Sequence, residues 1–147
     1  LVAAGLTSDD PNDLSPEEER KLSELVKEKF NHEFVFVIDW PISKRPFYHM
    51  RHEDNPSLTK SFDLLYKGLE ITTGAQREHR IDILEKQALE KKMPIDELSY
   101  YFDFFRFGCP PHGGAGIGPG RIVMQILDLK SVKEATFLPR DVNRLNP

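Results

Sequence analysis

One cysteine, Cys109, is all the thiol this chain of 147 residues carries. No internal disulfide and no cysteine-built zinc cage can form from it, and a reducing, cytoplasmic setting is the natural expectation. Long apolar runs are missing too. Nothing approaches the roughly 18 residues of a membrane span, and no signal peptide opens the sequence. A basic excess is also absent, since 20 Lys and Arg face 24 Asp and Glu for a net charge of -4. That argues against nonspecific nucleic-acid binding driven by clustered cations, but does not exclude a shaped nucleic-acid partner touched at a few points. His49, His52, His79 and His112 have no metal-ligand spacing, and His49 and His52 beside Glu53 and Asp54 read as a solvated loop. No Ser-His-Asp or Cys-His nucleophile stands out, and there is no repeat or low-complexity tract. What remains is an ordinary globular composition, 39% hydrophobic and 30% charged, long enough to bury one core. The first residue is Leu1 rather than Met, which reads as a fragment or a processed product.

Residues 1–13 form a polar lead-in, and residues 14–147 form the folded portion. Ser15-Pro16-Glu17-Glu18 is a helix start, with a capping serine, a proline at the first position and a glutamate completing a capping box. Leu22, Leu25, Val26 and Phe30 stripe that helix. Residues 34–38 are continuously apolar, as in a buried strand, and residues 45–50 suggest a shorter one. Residues 62–66 alternate, with Phe62, Leu64 and Tyr66 expected to face the core. Lys67-Gly68 can turn them into a hairpin with residues 69–73. Helices are expected over 77–92, from Pro94 to about 107, and from Pro119 to 129, with a last short strand at 135–138. Strands without regular crossover helices favour an α/β (α+β) domain with an antiparallel sheet flanked by helices.

The hairpin register puts Asp63 and Glu70 on one face. They are either exposed strand acids or a carboxylate pair whose repulsion a hard cation such as magnesium relieves. Thr73 could add a neutral oxygen only if a bulge or a strand end near Gly74 brings it round. Arg77, after an expected break at Gly74-Ala75, has a planar fork that suits a carboxylate, or else pairs with Glu78 or Asp82. Gly116, Gly118 and Gly120 belong to a glycine-rich stretch, 110–121, read as a loop. It either turns the chain or lets a phosphorylated ligand approach a helix N-terminus. Arg121 opposes the helix dipole there, so it faces a bound anion or base, or else solvent. Together these features suggest a magnesium nucleotide beside a small anionic substrate, with catalysis by positioning and charge stabilisation.

Four segments, FDLLYKGLEITTGAQREHR (62–80), FDFFRFGCPPHGG (102–114), GIGPGRIVMQ (116–125) and FLPRDVNRLNP (137–147), resemble the aspartyl-tRNA synthetase family of class II, archaeal and eukaryotic type. The likeness is to the C-terminal part of its catalytic domain and runs from about Leu14 to the end. It implies an aspartate–tRNA ligase, which joins L-aspartate to ATP and then to tRNA(Asp), with tRNA(Asn) left open. A homodimeric, magnesium-dependent, cytoplasmic enzyme is implied for the full length. Carried over by position, Glu70 matches the acid that binds magnesium and ATP. Thr73 matches a residue, commonly serine, near magnesium and aspartate, and Asp63 an acid near the metal. Arg77 matches the reader of the aspartate side chain. Arg121 matches the arginine over ATP, lined by Gly118, Pro119 and Gly120. Gly120 departs from the family's usual glutamate. Motifs 1 and 2, the loop over aspartate and the anticodon-reading barrel have no counterpart, so the isolated chain is expected to be inactive. The alternatives are an asparaginyl or asparagine-making relative, or a noncatalytic interaction module of the same fold.

Overall fold

The computed structural model describes Gly5, Ser8 and residues 10–146; the rest of the expected lead-in, residues 1–4, 6, 7 and 9, lies outside the described residues. Residues 10–13 form a turn closed by the Asp13 amide on the Asp10 carbonyl. The elements in order are α1 (Pro16–Phe30), β1 (Phe34–Ile38), β2 (Ser61–Tyr66), β3 (Leu69–Arg77), α2 (Ile81–Glu90), α3 (Ser99–Arg106), β4 (His112–Ile117) and α4 (Pro119–Ile126). The strands form one antiparallel sheet in the order β1-β2-β3-β4, as the expected fold class requires. Two compact units divide the chain. The first holds residues up to Phe36, then Asp63–Thr73 and everything from Gly116. The second holds Val37–Phe62 and Gly74–Ala115. Among the described residues no helix is long and apolar enough to cross a membrane.

In the first unit the helix start is as its sequence dictates. The Ser15 hydroxyl accepts from the Glu18 amide, and the Glu18 carboxylate accepts from the Ser15 amide at 2.8 Å. The apolar stripe is only half covered, and Phe30 is exposed. Lys67 and Gly68 have φ of 49° and 79°, the paired left-handed conformation of a two-residue hairpin turn, which sets Tyr66 opposite Leu69. The side expected to be the core is not the better covered one. Asp63 and Leu65 are buried, whereas of the expected core face Tyr66 is buried but Phe62 and Leu64 are intermediate.

β1 corrects another expectation, since Phe34, Phe36 and Ile38 are all exposed, Phe34 while stacked on the Tyr66 ring at 4.4 Å. A continuous apolar run cannot distinguish a strand covered on both faces from an edge strand covered on one.

The second unit has its own core, in which Phe47, Leu84, Ala88, Phe102 and Phe105 pack together. Leu84 and Ala88 face inward from α2 as their spacing predicts, and Gln87 of the same helix donates to the Phe47 and His49 carbonyls. α2 starts later than expected because β3 runs without a break through Gly74 and Ala75 to Arg77. α3 begins at Ser99 rather than Pro94, after turns over residues 95–98.

Residues 45–50 are not a strand. They follow the short 3-10 turn Ile42–Lys44 and make only an isolated bridge, His49 to Arg77, and His49 is buried rather than solvated. Nor are residues 135–138, where the 3-10 turn Val132–Ala135 ends and Phe137 is exposed.

The Gln76 amide donates to the Lys60 carbonyl. Counting from the turn, residue 75 should lie opposite residue 60, so β3 carries one residue more than β2, a bulge. Gly74 sits on the Phe62 side, where a Cβ would come within 2.6 Å of the ring.

Candidate functional site

Most of the stretch read as a glycine loop is β4, and of its glycines only Gly118 stands outside regular structure, as the N-cap of α4. Glycine is needed in that strand because of what lies against it. A Cβ at Gly114 would fall 2.6 Å from Nη2 of Arg77, and one at Gly113 would fall 3.0 Å from the Ala75 carbonyl oxygen. The composition signalled close approach correctly, but the partner is a guanidinium of the same chain.

In the first unit, Pro119 occupies the first turn of α4 as predicted, and the Gly118 amide donates to the Ile71 carbonyl at 2.8 Å. This ties the helix mouth to β3. Arg121 extends from the first turn of α4 to that strand. Its Nη1 donates to the Glu70 carbonyl at 2.7 Å and lies 3.5 Å from Glu70 Oε1. The cation expected to oppose the helix dipole is thus offset partly by a carbonyl and a carboxylate. Both side chains keep substantial exposure, 49% for Arg121 and 32% for Glu70, which leaves a ligand access to each. A Cβ at Gly120 would meet Cγ2 of Val132 at 3.0 Å, so a larger residue there requires Val132 to yield.

Glu19 of α1 is the residue that sequence reasoning missed. Its carboxyl is held above the ordinary glutamate range, first by burial and then by the carboxylates of Glu70 and Asp63, against the opposing pull of Arg121. Glu19, Asp63, Glu70 and Arg121 therefore share one electrostatic neighbourhood. No sequence signal could have separated Glu19 from its neighbours, because acids in a first helical turn are also what the dipole favours.

Asp63 is buried, and Glu70 is half-buried. Among the described residues no three His, Cys, Asp or Glu side chains are grouped to hold a metal by themselves. The donor set, two carboxylates with the Thr73 hydroxyl near in sequence, is all oxygen. That suits magnesium, which is commonly held by one or two carboxylates together with substrate phosphates.

Arg77 belongs to the second unit. Its guanidinium lies 5.5 Å from the centre of the Tyr48 ring and rests against Gly114. Neither expected salt bridge forms. Glu78, nearly inaccessible, accepts instead from Nε and Nη2 of Arg80 and from the amides of His79 and Arg80. Burial alone would raise Glu78, but the Arg80 hydrogen bonds outweigh it and hold the carboxyl below the ordinary range. Among the described residues no carboxylate is within ion-pair distance of Arg77. Tyr101 lies close enough to feel that charge; burial pushes its hydroxyl up while Arg77 pulls it back.

A sequence profile of class II tRNA synthetases (D, K and N) matches residues 7–142. The aspartate–tRNA(Asp/Asn) ligase of Aeropyrum pernix is 50% identical over 135 residues, covering 92% of this chain and 30% of that protein. The aspartate–tRNA(Asp) ligase of Thermoplasma volcanium is 44% identical over 147 residues, covering 100% of this chain and 33% of that protein. Among solved structures, the aspartyl-tRNA synthetase from Entamoeba histolytica has a TM-score of 0.94 at 42% identity, covering 99% of this chain and 30% of that one. The asparaginyl-tRNA synthetase from Pyrococcus horikoshii has a TM-score of 0.88 at 31% identity, covering 99% of this chain and 34% of that one. The chain thus spans about a third of the length of the relatives it matches. Since the profile runs over all but the two ends, the chain belongs to the class II tRNA synthetases (D, K and N).

Proposed function

We propose that this sequence is the C-terminal part of the catalytic domain of an aspartate–tRNA ligase. In that reaction the α-carboxylate of aspartate attacks the α-phosphate of ATP, pyrophosphate leaves, and the aspartyl group then passes to the 3′ end of tRNA. An α-carboxyl with an ordinary pKa of about 3.5 is already ionised near neutrality, so the first step needs no general base. That agrees with a site rich in charge and poor in nucleophiles. What the step does need is an offset for the charge that builds on phosphate oxygens.

Arg121, at the mouth of α4, is assigned to ATP, and Gly118, Pro119 and Gly120 to the backbone that a flat base and its phosphates approach. Glu70 is assigned to ATP and, with Asp63 and Thr73, to holding magnesium, which when bound supplies positive charge to the phosphates. Arg77 is assigned to the aspartate side chain, and this is the observation that carries the choice of substrate. A half-buried guanidinium, held by Tyr48 and Gly114 and with no carboxylate at ion-pair distance among the described residues, is complementary to a carboxylate brought by a ligand. The full-length ligase is proposed to be a homodimer acting on tRNA(Asp). The likeness to the Pyrococcus horikoshii asparaginyl enzyme supports a second reading, asparagine in place of aspartate.

The test is ATP–pyrophosphate exchange by a full-length ligase containing this sequence. Exchange driven by aspartate is expected, and exchange driven by asparagine alone would transfer the assignment to the second reading. The 147 residues by themselves are expected to give none.

A further inference from the structure

We propose that a cavity of about 280 Å³ in the first unit takes a phosphate group of an RNA backbone, at a place distinct from the Glu70–Arg121 contact. It is lined by Arg20, Ser23, Glu24 and Lys27 of α1, by Glu33, and by Lys67 at the turn between β2 and β3. The inference rests on the reading of the chain as part of a tRNA ligase.

Three observations carry it. Both acids of the cavity are already matched, Glu24 to Lys21 at 3.1 Å and Glu33 to Lys27 at 3.0 Å. Among the described residues neither Arg20 nor Lys67 has a carboxylate within ion-pair distance, although Glu33 feels the charge of Lys67, so the cavity lining carries three cations, Arg20, Lys27 and Lys67, against two carboxylates. The second is Ser23. It is 6% exposed, and its hydroxyl has no hydrogen-bond partner among the described residues. A buried hydroxyl left unmatched is unfavourable, and a phosphate oxygen in the cavity would accept from it. The third is Lys67, which holds a left-handed backbone at φ 49°, where Asn or Gly is at home. Its ammonium lies 5.2 Å from the centre of the Tyr66 ring and makes one long hydrogen bond, to the Gln125 carbonyl at 3.4 Å.

A guanidinium, an ammonium and a hydroxyl around one hollow are the donors a phosphate takes. With a net charge of -4 the chain is not basic overall, and RNA contact at a built notch is a mode that charge allows.

Amide NMR shifts of the chain test this, with inorganic phosphate, ATP and a short RNA duplex as separate probes. The duplex is expected to move the Ser23 and Lys67 amides. Arg20→Gln combined with Lys67→Asn, which suits the left-handed turn, is expected to weaken duplex binding about tenfold and to flatten its salt dependence. Movement with inorganic phosphate but not with the duplex means a free-anion site and overturns the RNA assignment. No movement with either, or duplex binding that the double variant leaves unchanged, overturns it as well. The ATP arm reads the Arg121 amide, so a failure of the proposed function shows there and not at Ser23.

Discussion

Arg121 and Glu70 are joined twice, once through the Glu70 carbonyl at 2.7 Å and once, more loosely, through its carboxylate at 3.5 Å. The backbone contact fixes where the guanidinium sits, and the longer one leaves both charged groups available. Such an exposed pair adds little to stability, about 0–1 kcal/mol. Arg121→Ala is therefore expected to unfold at nearly the same temperature as the parent chain. Its cost should appear in nucleotide affinity, which a charged hydrogen bond worth about 1.5–3 kcal/mol sets at roughly tenfold to a hundredfold. Calorimetric titration of ATP into a full-length ligase bearing the change, beside thermal unfolding of the chain, checks both halves.

Gly114 and Gly116 separate two roles of the glycine strand. A methyl at Gly114 would fall on the Arg77 guanidinium, whereas at Gly116 nothing lies within 4 Å. Gly114→Ala is expected to raise the KM for aspartate in the full-length ligase with little change in stability, because the far end of a long side chain gives way. Gly116→Ala should be neutral, or more stable by about 0.5 kcal/mol through the unfolded chain. Equal KM values for the two variants would contradict the assignment of Gly114 as the support of Arg77.

Two glutamates should pull the pH profile in opposite directions. Glu19 has its pKa raised by burial and by the neighbouring carboxylates. Its contribution to stability is full below the ordinary glutamate value and is lost as pH rises through the folded one. Glu19→Gln is thus expected to melt higher than the parent near neutrality and to lose that advantage in acid. Glu78 is the reverse. Its pKa is depressed, so its stabilisation holds above the ordinary value and disappears as pH falls through the folded one. Glu78→Gln should melt lower at neutrality, with the gap closing in acid. Thermal unfolding across a pH series reads both.

How far the sequence could be read depended on whether a local rule or a tertiary one decided each element. Ser15, Pro16 and Glu18 state a helix start within four residues, and Lys67-Gly68 state a turn within two, so both are legible. The strand His112–Ile117 was hidden because a run of small residues has no alternation to read; its glycines answer to Arg77 and the Ala75 carbonyl, which are distant in sequence. The exposure of Phe34, Phe36 and Ile38 was hidden for the same reason, since only the sheet order shows that their strand is an edge. The register shift shown by the Gln76–Lys60 hydrogen bond is a particular that sequence could not supply. Glu19 was invisible because nothing in an acidic helix start marks which carboxylate will turn toward Glu70 and Asp63.

The central claim is that Arg77 selects a carboxylate side chain, and exchanging its charge tests that most directly. In ATP–pyrophosphate exchange by a full-length ligase containing this sequence, the account predicts strong preference for aspartate over asparagine. With Arg77→Gln that preference should fall by roughly a hundredfold or more, the cost of losing a charge-assisted bidentate contact. A variant that keeps the parent's preference for aspartate, or a parent that prefers asparagine, would contradict it.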